Sequence, residues 1–543
     1  MNRSIKKVLF IVPPVTRPSD FSSKVSRVSV FFPLGIAYIA AYLEKYDNYE
    51  IQILDALIEG DTNEGVLFDN GHKIRYGMSD AEIAAYIKAH SPDVVGVSCL
   101  FAAIEQDAVN VCRIAKETAP GTITVVGGAH AGAVAKKLID QNSSIDFVIQ
   151  GEAEITFRDL LSVIVSNDDF AKLDGIAYRK DHVSTLLPKT RYIDDLDSLP
   201  FPARHLFDLK KYFQKASAHG SFKLAPYTQI ISSRGCPFKC TFCALGNHWG
   251  SKQRMRSARN VLDEIEFLVK NLHIKELHFE DDNLTADKKR ALEIFNGMIE
   301  KNYDLIWVVP SGMAVASLDE ELLIKMKASH CYSVTLAIES GSQWVISNLM
   351  KKPVNLKNVP GLVQTIRKVG LEVRGFFILG YPDETKDTIR QTVEFARKLE
   401  LDWAVFSVAS PIPNTEMYRT CIEKGYFKEE DYDPIRSFHT SIIKTPEFTS
   451  AELAEIREEA IIDINFRNNP NLIEYDVNKA IESFKQVLLH YPHFDFANYY
   501  LGEAYLKKGD TKLAIDAYRR TVSLNPSHNG AAERLRQLGA TVT

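Results

Sequence analysis

Three closely spaced cysteines are the residues of this chain best suited to carry chemistry. Cys236, Cys240 and Cys243 lie in the segment Arg-Gly-Cys-Pro-Phe-Lys-Cys-Thr-Phe-Cys and give the spacing C-x3-C-x2-C. Three thiolates can hold a 4Fe-4S cluster by three corners and leave its fourth iron without a protein ligand. Because an open iron can bind and activate a small molecule, the spacing predicts a cluster that takes part in a reaction.

A zinc knuckle is the alternative for the same residues. His248 follows Cys243 by five residues and could complete a Cys3His tetrahedron. Zinc knuckles are usually small self-contained modules, whereas this triplet follows a strand-like run at 226–233 inside a long α/β pattern. The setting therefore favours the cluster.

With Phe242 placed before the last cysteine, the triplet resembles the signature loop of radical S-adenosylmethionine (SAM) enzymes. The resemblance implies that the amino and carboxylate groups of SAM chelate the open iron and that Phe242 lies near the adenine. One electron from the cluster would then split SAM into methionine and a 5'-deoxyadenosyl radical, which abstracts hydrogen from an unactivated carbon.

The elements that position this loop extend over residues 226–445, where strand-like and helical runs alternate. Six strands suggest a partial (β/α)6 barrel with its functional residues at the carboxyl ends of the strands. The resemblance implies that polar residues at these ends contact SAM, although Asp, Glu and Ser after strands are also common helix N-caps. They are Glu280, Asp281 and Asp282 after the second strand, Glu339 and Ser340 after the fourth, and Gly380 after the fifth.

Residues 1–170 show the alternation of a doubly wound parallel sheet, which binds ligands beyond the carboxyl ends of its strands. The candidate binding residues in the loops there are Ser98, Leu100, Gly127, Gly128, His130, Gly151 and Glu152. A nucleotide or flavin domain is the alternative, but no G-x-G-x-x-G opens the first helix.

The pair Ser98-x-Leu100, followed after 26 residues by Gly127-Gly128, resembles the cobalamin-binding domain. The D-x-H-x-x-G element of that family is missing, because its nearest counterpart at 55–60 carries Leu57 in place of histidine. The cobalt is therefore expected to lack this lower ligand. For His130, a hydrogen bond to the cofactor or to nearby backbone is favoured over ligation of the cobalt.

Two further segments complete the expected organisation. Residues 171–225 are predicted to form a hairpin and a linker. Residues 446–543 form a helical tail with a repeat of period 34, which resembles tetratricopeptide (TPR) repeats. Because so few repeats are marginal alone, we expect them to pack on the barrel or on a protein partner.

Composition narrows the function classes. The net charge of -5 gives no basic footprint for nucleic acid, no apolar run is long enough to span a membrane, and the first residues lack a signal-peptide layout. Seven cysteines in 543 residues are too few for a disulfide scaffold. We therefore predict a cytoplasmic protein.

The resemblance implies an enzyme with three cofactors, a 4Fe-4S cluster, SAM and cobalamin. The leading hypothesis is a methyltransferase that acts on an unactivated carbon through methylcobalamin and the 5'-deoxyadenosyl radical. A cyclase similar to the anaerobic magnesium-protoporphyrin monomethyl ester cyclase and a non-catalytic helical-repeat adaptor are the alternatives. The substrate would be a small molecule, a lipid or a tetrapyrrole, and flavodoxin or ferredoxin would supply electrons. Sequence alone does not choose among these substrates.

Overall fold

The computed structural model describes residues 4–22, 28, 30–213, 222–432 and 440–542. A mostly parallel sheet and a fully parallel sheet follow each other along the chain, and a helical tail packs on the second. In the described part of the chain, no helix has both the length and the apolar character needed to cross a bilayer.

The first unit contains ten strands. They are β1 (Lys7–Val12), β2 (Val15–Pro18), β3 (Glu50–Asp55), β4 (Asp61–Phe68), β5 (Lys73–Gly77), β6 (Val94–Ser98), β7 (Ile123–Gly127), β8 (Phe147–Ile149), β9 (Ile176–Lys180) and β10 (Val183–Leu187). Its helices are α1 (Ser19–Ser22), α2 (Leu34–Tyr46), α3 (Ala56–Glu59), α4 (Asp80–His90), α5 (Glu105–Thr118), α6 (Ala129–Ala133), α7 (Ala135–Gln141) and α8 (Glu154–Ser166).

Seven of these strands form one sheet in the order β10-β9-β8-β7-β6-β1-β3. The five strands from β8 to β3 are parallel, and apolar side chains cover both faces, as expected for a doubly wound sheet. The fold class predicted from the sequence is confirmed here. The carboxyl ends of β1, β6, β7 and β8 therefore meet along one edge.

The hairpin β9-β10 belongs to this first sheet. It was expected between the domains, but β9 pairs antiparallel with β8, with Phe147 opposite Tyr178 and Ile149 opposite Ile176. Ile176 and Ala177 are fully buried, so the hairpin adds to the core of the first unit. The hairpin lies within the predicted range 171–225, and it extends the first sheet to Leu187.

A small sheet of β2, β5 and β4 was not foreseen. Its strands are antiparallel and lie at the carboxyl ends of β1 and β3. Gly65 in β4 has a φ of +69°, and the register shifts between Asp61 and Val66, which marks a bulge. The strands carry no regular apolar alternation, so no periodic pattern indicates them in the sequence.

The second unit holds the predicted partial barrel, and the helices lie outside it. Its elements are α9 (Leu209–Tyr212), β11 (Tyr227–Ile230), β12 (Ser233–Arg234), α10 (Leu245–Trp249), β13 (Arg254–Met255), α11 (Ala258–Leu272), β14 (Glu276–Phe279), α12 (Lys288–Lys301), β15 (Ile306–Val308), α13 (Glu320–Ala328), β16 (Cys331–Glu339), α14 (Val359–Val369), β17 (Glu372–Leu379), α15 (Lys386–Lys398), β18 (Trp403–Val408) and α16 (Glu416–Glu423).

Six parallel strands form the barrel wall in the order β11-β14-β15-β16-β17-β18. Fully buried Phe279, Phe295 and Trp307 pack between the strands and the outer helices. Among the described residues β18 does not pair with β11, so the barrel is open on that side. The six-stranded prediction is confirmed.

The helical tail closes the free edge of β18. Its helices are α17 (Ser450–Ile462), α18 (Pro470–Ile473), α19 (Val477–His490), α20 (Asp495–Lys508), α21 (Thr511–Leu524) and α22 (Asn529–Gln537). The Asn465 amide donates to the Ala404 carbonyl and accepts from the Ala404 N–H, both at 2.7 Å. Phe466 packs edge-on against Trp403 with ring centroids 5.6 Å apart. An unpaired strand edge is thereby covered.

We expect Asn465→Ala to lower the free energy of unfolding by about 2 kcal/mol, because it leaves a buried N–H and a buried C=O of Ala404 without partners. Denaturant unfolding measures the change. Asn478→Ala, at an exposed position of α19, is the matched control and should change stability by less than about 0.5 kcal/mol. Equal effects in the two variants would contradict the role given to Asn465.

Candidate functional site

The cysteine loop leaves the barrel directly after β12. Gly235 opens it with a φ of +84°, and a side chain there would meet the Lys252 carbonyl at 2.9 Å. Cys236, Cys240 and Cys243 are half-buried. Burial, together with the nearby thiols of Cys240 and Cys236, raises the pKa of Cys243 to about 11. The structure thus brings the three predicted ligands together at the carboxyl end of the barrel.

His248 is the residue that would complete a Cys3His zinc site. Within the described ranges, no three His, Cys, Asp or Glu side chains converge on one position that could hold an ion. His248 has a buried Nδ1, and its surroundings are charged groups that include Arg234 and Glu152. These observations weigh against the Cys3His alternative.

Thr241 anchors the loop to three other segments. Its N–H donates to the Met350 carbonyl at 3.1 Å, its hydroxyl donates to the Leu349 carbonyl at 2.7 Å, and its own carbonyl accepts from the Met417 N–H at 2.9 Å. The Tyr381 hydroxyl lies 2.5 Å from the Thr241 hydroxyl. The middle of the cysteine loop is therefore fixed by the end of a π-helical turn and the start of α16.

A buried cation stands beside the cysteines. The Lys352 ammonium donates to Glu339 Oε1 at 2.8 Å and lies 5.8 Å from the Phe242 ring centroid. Burial would lower the pKa of Lys352, but Glu339 and the thiols of Cys240 and Cys243 raise it overall. Glu339 has a φ of +73°, a conformation that non-glycine residues adopt at a cost and that clusters at functional sites.

Two acidic residues after β14 face the same region. Asp282 accepts from the Gly235 N–H at 3.1 Å, and burial raises the pKa of its carboxyl to about 7. Glu280 accepts from the Gln229 amide at 3.0 Å. Both carboxyl groups remain partly exposed, so they can accept further hydrogen bonds from a bound ligand.

Three other predicted residues have local structural partners. Asp281 is fully buried and accepts from the Ser232 N–H and from the hydroxyls of Ser232 and Ser233. The Ser340 hydroxyl accepts from the Ser342 N–H, as in a helix cap. A side chain at Gly380 would meet Leu453 of α17 at 2.3 Å. Contact of these three residues with SAM stays a prediction.

The loops expected to hold cobalamin are joined to each other. The Cys99 N–H donates to the Gly127 carbonyl at 2.7 Å, and the His130 N–H donates to the Leu100 carbonyl at 3.2 Å. Gly128 has a φ of +120°, and a side chain there would collide with the Cys99 carbonyl at 2.6 Å. Ser98-x-Leu100 and Gly127-Gly128 thus form one surface. Contact of these residues with cobalamin stays a prediction.

This surface fits a flat apolar macrocycle. The side chains of Leu100 and Phe101 are 40% and 49% exposed at the carboxyl edge of the sheet, and nothing lies within 4 Å of the position of a Cβ at Gly127. Leu57 is buried in an apolar cluster with Val30 and Phe32, which supplies no metal ligand there. His130 Nε2 bonds to Glu105 at 2.6 Å, so this nitrogen is already engaged.

Glu152 joins the two units rather than facing solvent at the sheet edge. Its carboxylate accepts from Arg234 at 2.8 Å and from Arg254 at 2.6 and 2.8 Å. Arg234, the residue before Gly235, also donates to Glu154 at 2.6 Å. The side chains of this network are at most 5% exposed. The cysteine loop is therefore tied to the loop after β8.

Gly151 allows the first unit to approach the barrel closely. It has a φ of +64°, and a side chain would meet the His248 carbonyl of α10 at 2.9 Å. Nearby, the Asn414 amide donates to the Ala133 carbonyl at the end of α6. Gly151 and Glu152 therefore contact the barrel, and a direct contact of either residue with a cofactor stays a prediction.

Sequence reasoning missed Lys352, Thr241 and the two arginines of the network. Lys352 lies 13 residues after Glu339 in an ordinary Met-Lys-Lys-Pro run, so nothing local marks it. The sequence marks Arg234 only as the first residue of the cysteine segment. Each gains its role from partners distant in the sequence, which a single sequence does not reveal.

Comparison with known families agrees with this division of the chain. Residues 24–161 match the B12 binding domain, residues 230–396 match the radical SAM superfamily, and residues 496–528 match the tetratricopeptide repeat. The two larger matches fall within the first and the second unit, respectively, and the third falls within the helical tail.

Among curated proteins, cytidylyl-2-hydroxyethylphosphonate methyltransferase of Streptomyces wedmorensis is 34% identical over 496 residues, which cover 86% of this chain and 91% of that protein. Anaerobic magnesium-protoporphyrin IX monomethyl ester cyclase of Rubrivivax gelatinosus is 26% identical over 458 residues, which cover 83% and 75%. Both similarities extend across the two sheets.

A solved structure shares the fold. The cobalamin-dependent SAM radical enzyme OxsB, solved with aqua-cobalamin and SAM bound, aligns with a TM-score of 0.68 at 15% identity. The alignment covers 99% of this chain and 76% of that chain. The alignment therefore includes the helical tail as well as both sheets.

Proposed function

The chain belongs to the cobalamin-dependent radical SAM enzymes, which work with a 4Fe-4S cluster, SAM and cobalamin, and from this premise we propose that it transfers a methyl group to an unactivated carbon. The observation that carries the proposal is the 34% identity to a methyltransferase over 91% of that protein's length. The cysteine loop and the Ser98 to Gly128 surface are both intact, so the adaptor alternative loses its basis.

Each group of residues has a task in this reaction. The three cysteines would hold the cluster, the carboxylates of Glu280 and Asp282 would accept hydrogen bonds from the SAM ammonium, and the Lys352 ammonium would complement the SAM carboxylate. When bound, the cluster with SAM supplies a 5'-deoxyadenosyl radical, and the cobalamin supplies the methyl group. The buried network around Glu152 keeps the two cofactor surfaces in register.

We expect Lys352→Met to weaken SAM binding by about 10- to 100-fold, because a charge-assisted contact to the SAM carboxylate is lost and Glu339 is left unpaired. Equilibrium binding of SAM to the cluster-loaded protein, followed by the change in the cluster spectrum, measures the effect. Lys352→Arg should recover part of the affinity.

Lys351→Met is the matched control, since the neighbouring lysine is 54% exposed and pairs with Glu416 on the surface. Its SAM affinity should stay within about twofold of the wild type. A Lys352→Met protein that binds SAM like the wild type would remove Lys352 from the SAM site.

The cyclase is a second candidate because a magnesium-protoporphyrin monomethyl ester cyclase is 26% identical to this chain. The two reactions differ in their products. Methyl transfer consumes one SAM as methyl donor and a second as radical source, and so releases both S-adenosylhomocysteine and 5'-deoxyadenosine. Cyclisation consumes SAM only as the radical source, so of these two products it releases 5'-deoxyadenosine alone.

Product analysis with methyl-deuterated SAM tests the proposal. We expect the anaerobically reconstituted protein to form S-adenosylhomocysteine and 5'-deoxyadenosine, and a methylated substrate to carry the deuterium. Cytidylyl-2-hydroxyethylphosphonate is the first test compound because the methyltransferase relative is named for it. Formation of 5'-deoxyadenosine without any S-adenosylhomocysteine would favour the cyclase.

Two accessory features belong to the same proposal. An electron carrier such as flavodoxin or ferredoxin would reduce the cluster, and the TPR-like tail could present a surface to a protein partner in addition to covering β18. A cytoplasmic location would suit the seven free cysteines, because reducing conditions preserve both thiols and clusters.

A further inference from the structure

The cysteine loop is linked to one exposed surface through Thr241. The Leu349 and Met350 carbonyls that accept from Thr241 end the π-helical segment Val345–Leu349. Trp344 stands just before this segment with 52% of its surface exposed, and Lys351 follows it with its side chain 54% exposed. The outer face of this π-helical segment is therefore only about one helical turn away from the carbonyls that bond to the cysteine loop.

A second segment adds to the same surface. The Met417 N–H donates to the Thr241 carbonyl at 2.9 Å, which places the first turn of α16 against the loop. Exposed Arg419 lies in that turn, and Glu416 pairs with Lys351 at 2.6 Å. Lys239, inside the cysteine loop, is exposed as well. We name this the loop-side surface, made of Lys239, Trp344, Lys351, Glu416 and Arg419.

The loop-side surface carries three cations, one anion and one exposed tryptophan, although the whole chain has a net charge of -5. Arg and Trp are enriched among the residues that dominate protein interfaces, and local positive charge steers acidic partners toward contact. An exposed Trp on a surface that also carries cations suits a transient complex that must form and dissociate in each catalytic cycle.

We propose that the loop-side surface docks the acidic one-electron carrier protein that reduces the cluster. In this step the carrier loses one electron and the cluster gains one, and no group or proton is transferred. The inference rests on the cluster of the proposed function but not on the identity of the carbon that is methylated. Hydrogen bonds through Thr241 connect this surface directly to the cysteine loop.

The test compares two reductants on the full-length, cluster-loaded protein. Reduced flavodoxin serves as the acidic carrier and dithionite as a small reductant that needs no docking surface. We expect Trp344→Ala combined with Lys351→Glu to lower the flavodoxin-driven rate of 5'-deoxyadenosine formation at least tenfold. The dithionite-driven rate should stay within twofold of the wild type, which shows that the cluster and SAM site are intact.

Two further variants sharpen the comparison. Glu416→Gln removes the one anion of the surface and should raise the flavodoxin-driven rate at low salt. Lys368→Glu is the matched charge control, because Lys368 is 77% exposed in the last turn of α14, next to the amino end of β17 and opposite the cysteine loop. It should change neither rate.

The outcomes separate the hypotheses. A flavodoxin-driven rate that is unchanged in the double variant overturns the docking proposal, and so does an equal loss with both reductants. Absence of 5'-deoxyadenosine from the wild type with dithionite would instead overturn the proposed function itself.

Discussion

Cys240→Ala should reduce 5'-deoxyadenosine formation to background, a loss of at least about 1,000-fold. The reason is that the cluster loses one of its three protein ligands and SAM loses the iron that binds it. Iron analysis after anaerobic reconstitution should show far fewer than the about four irons expected per wild-type chain. Bound cobalamin should be retained, because the Ser98 to Gly128 surface lies in the other unit.

Cys112→Ala is the matched control for this experiment. Cys112 is a free cysteine of α5, fully buried in the first unit, and burial raises the pKa of its thiol. The control should keep both its iron and its activity. An active Cys240→Ala protein, or equal iron losses in the two variants, would contradict the assignment of the cluster.

Glu152→Gln should lower the free energy of unfolding by about 3–5 kcal/mol. The substitution leaves the buried charge of Arg254 without a carboxylate partner and removes one of the two ion pairs of Arg234. It should also lower S-adenosylhomocysteine formation more than 5'-deoxyadenosine formation. The first product depends on the position of the cobalamin relative to the cluster, and a displacement of about 1 Å can cost about 100-fold in rate. Radical formation depends on the barrel alone.

Acid unfolding supplies a further readout for Glu152. Burial would raise the pKa of its carboxyl, but Arg234 and Arg254 outweigh burial and lower it. The stability that Glu152 contributes is therefore present above the ordinary glutamate pKa of about 4.3 and is lost as pH falls through the lowered value. Glu152→Gln should lack this part of the acid transition.

Glu44→Gln is the control, since Glu44 pairs with His205 on the surface at 3.0 Å. It should change stability by less than about 1 kcal/mol and leave the ratio of the two products unchanged. If Glu152→Gln leaves that ratio unchanged too, the network has a structural role only.

The sequence revealed the features that are local in the chain. Alternating apolar runs defined both sheets, and C-x3-C-x2-C defined the cluster loop. The spacing from Ser98 to Gly127 defined a surface that the structure joins by backbone hydrogen bonds. The first two signals come from neighbouring residues in one element or one turn, and the third comes from a spacing across one strand–helix–strand unit, so none of them needs knowledge of long-range contacts.

The rest depends on contacts between distant segments. Arg234 and Glu152 are 82 residues apart, and Thr241 and Tyr381 are 140 residues apart. Asp281 was predicted to bind SAM because of its place after a strand, yet the structure surrounds its carboxylate with Ser232 and Ser233. A residue type and a strand end identify candidates, but only packing decides which carboxylate stays available to a ligand.

We propose that the cysteine loop and the first sheet together hold a cluster that faces a cobalamin. Electron paramagnetic resonance of the anaerobically reconstituted and reduced protein is the sharpest test of this arrangement. We expect a magnetic interaction between the reduced cluster and cob(II)alamin that disappears when either cofactor is omitted. Two cofactor signals with no interaction between them would overturn the arrangement.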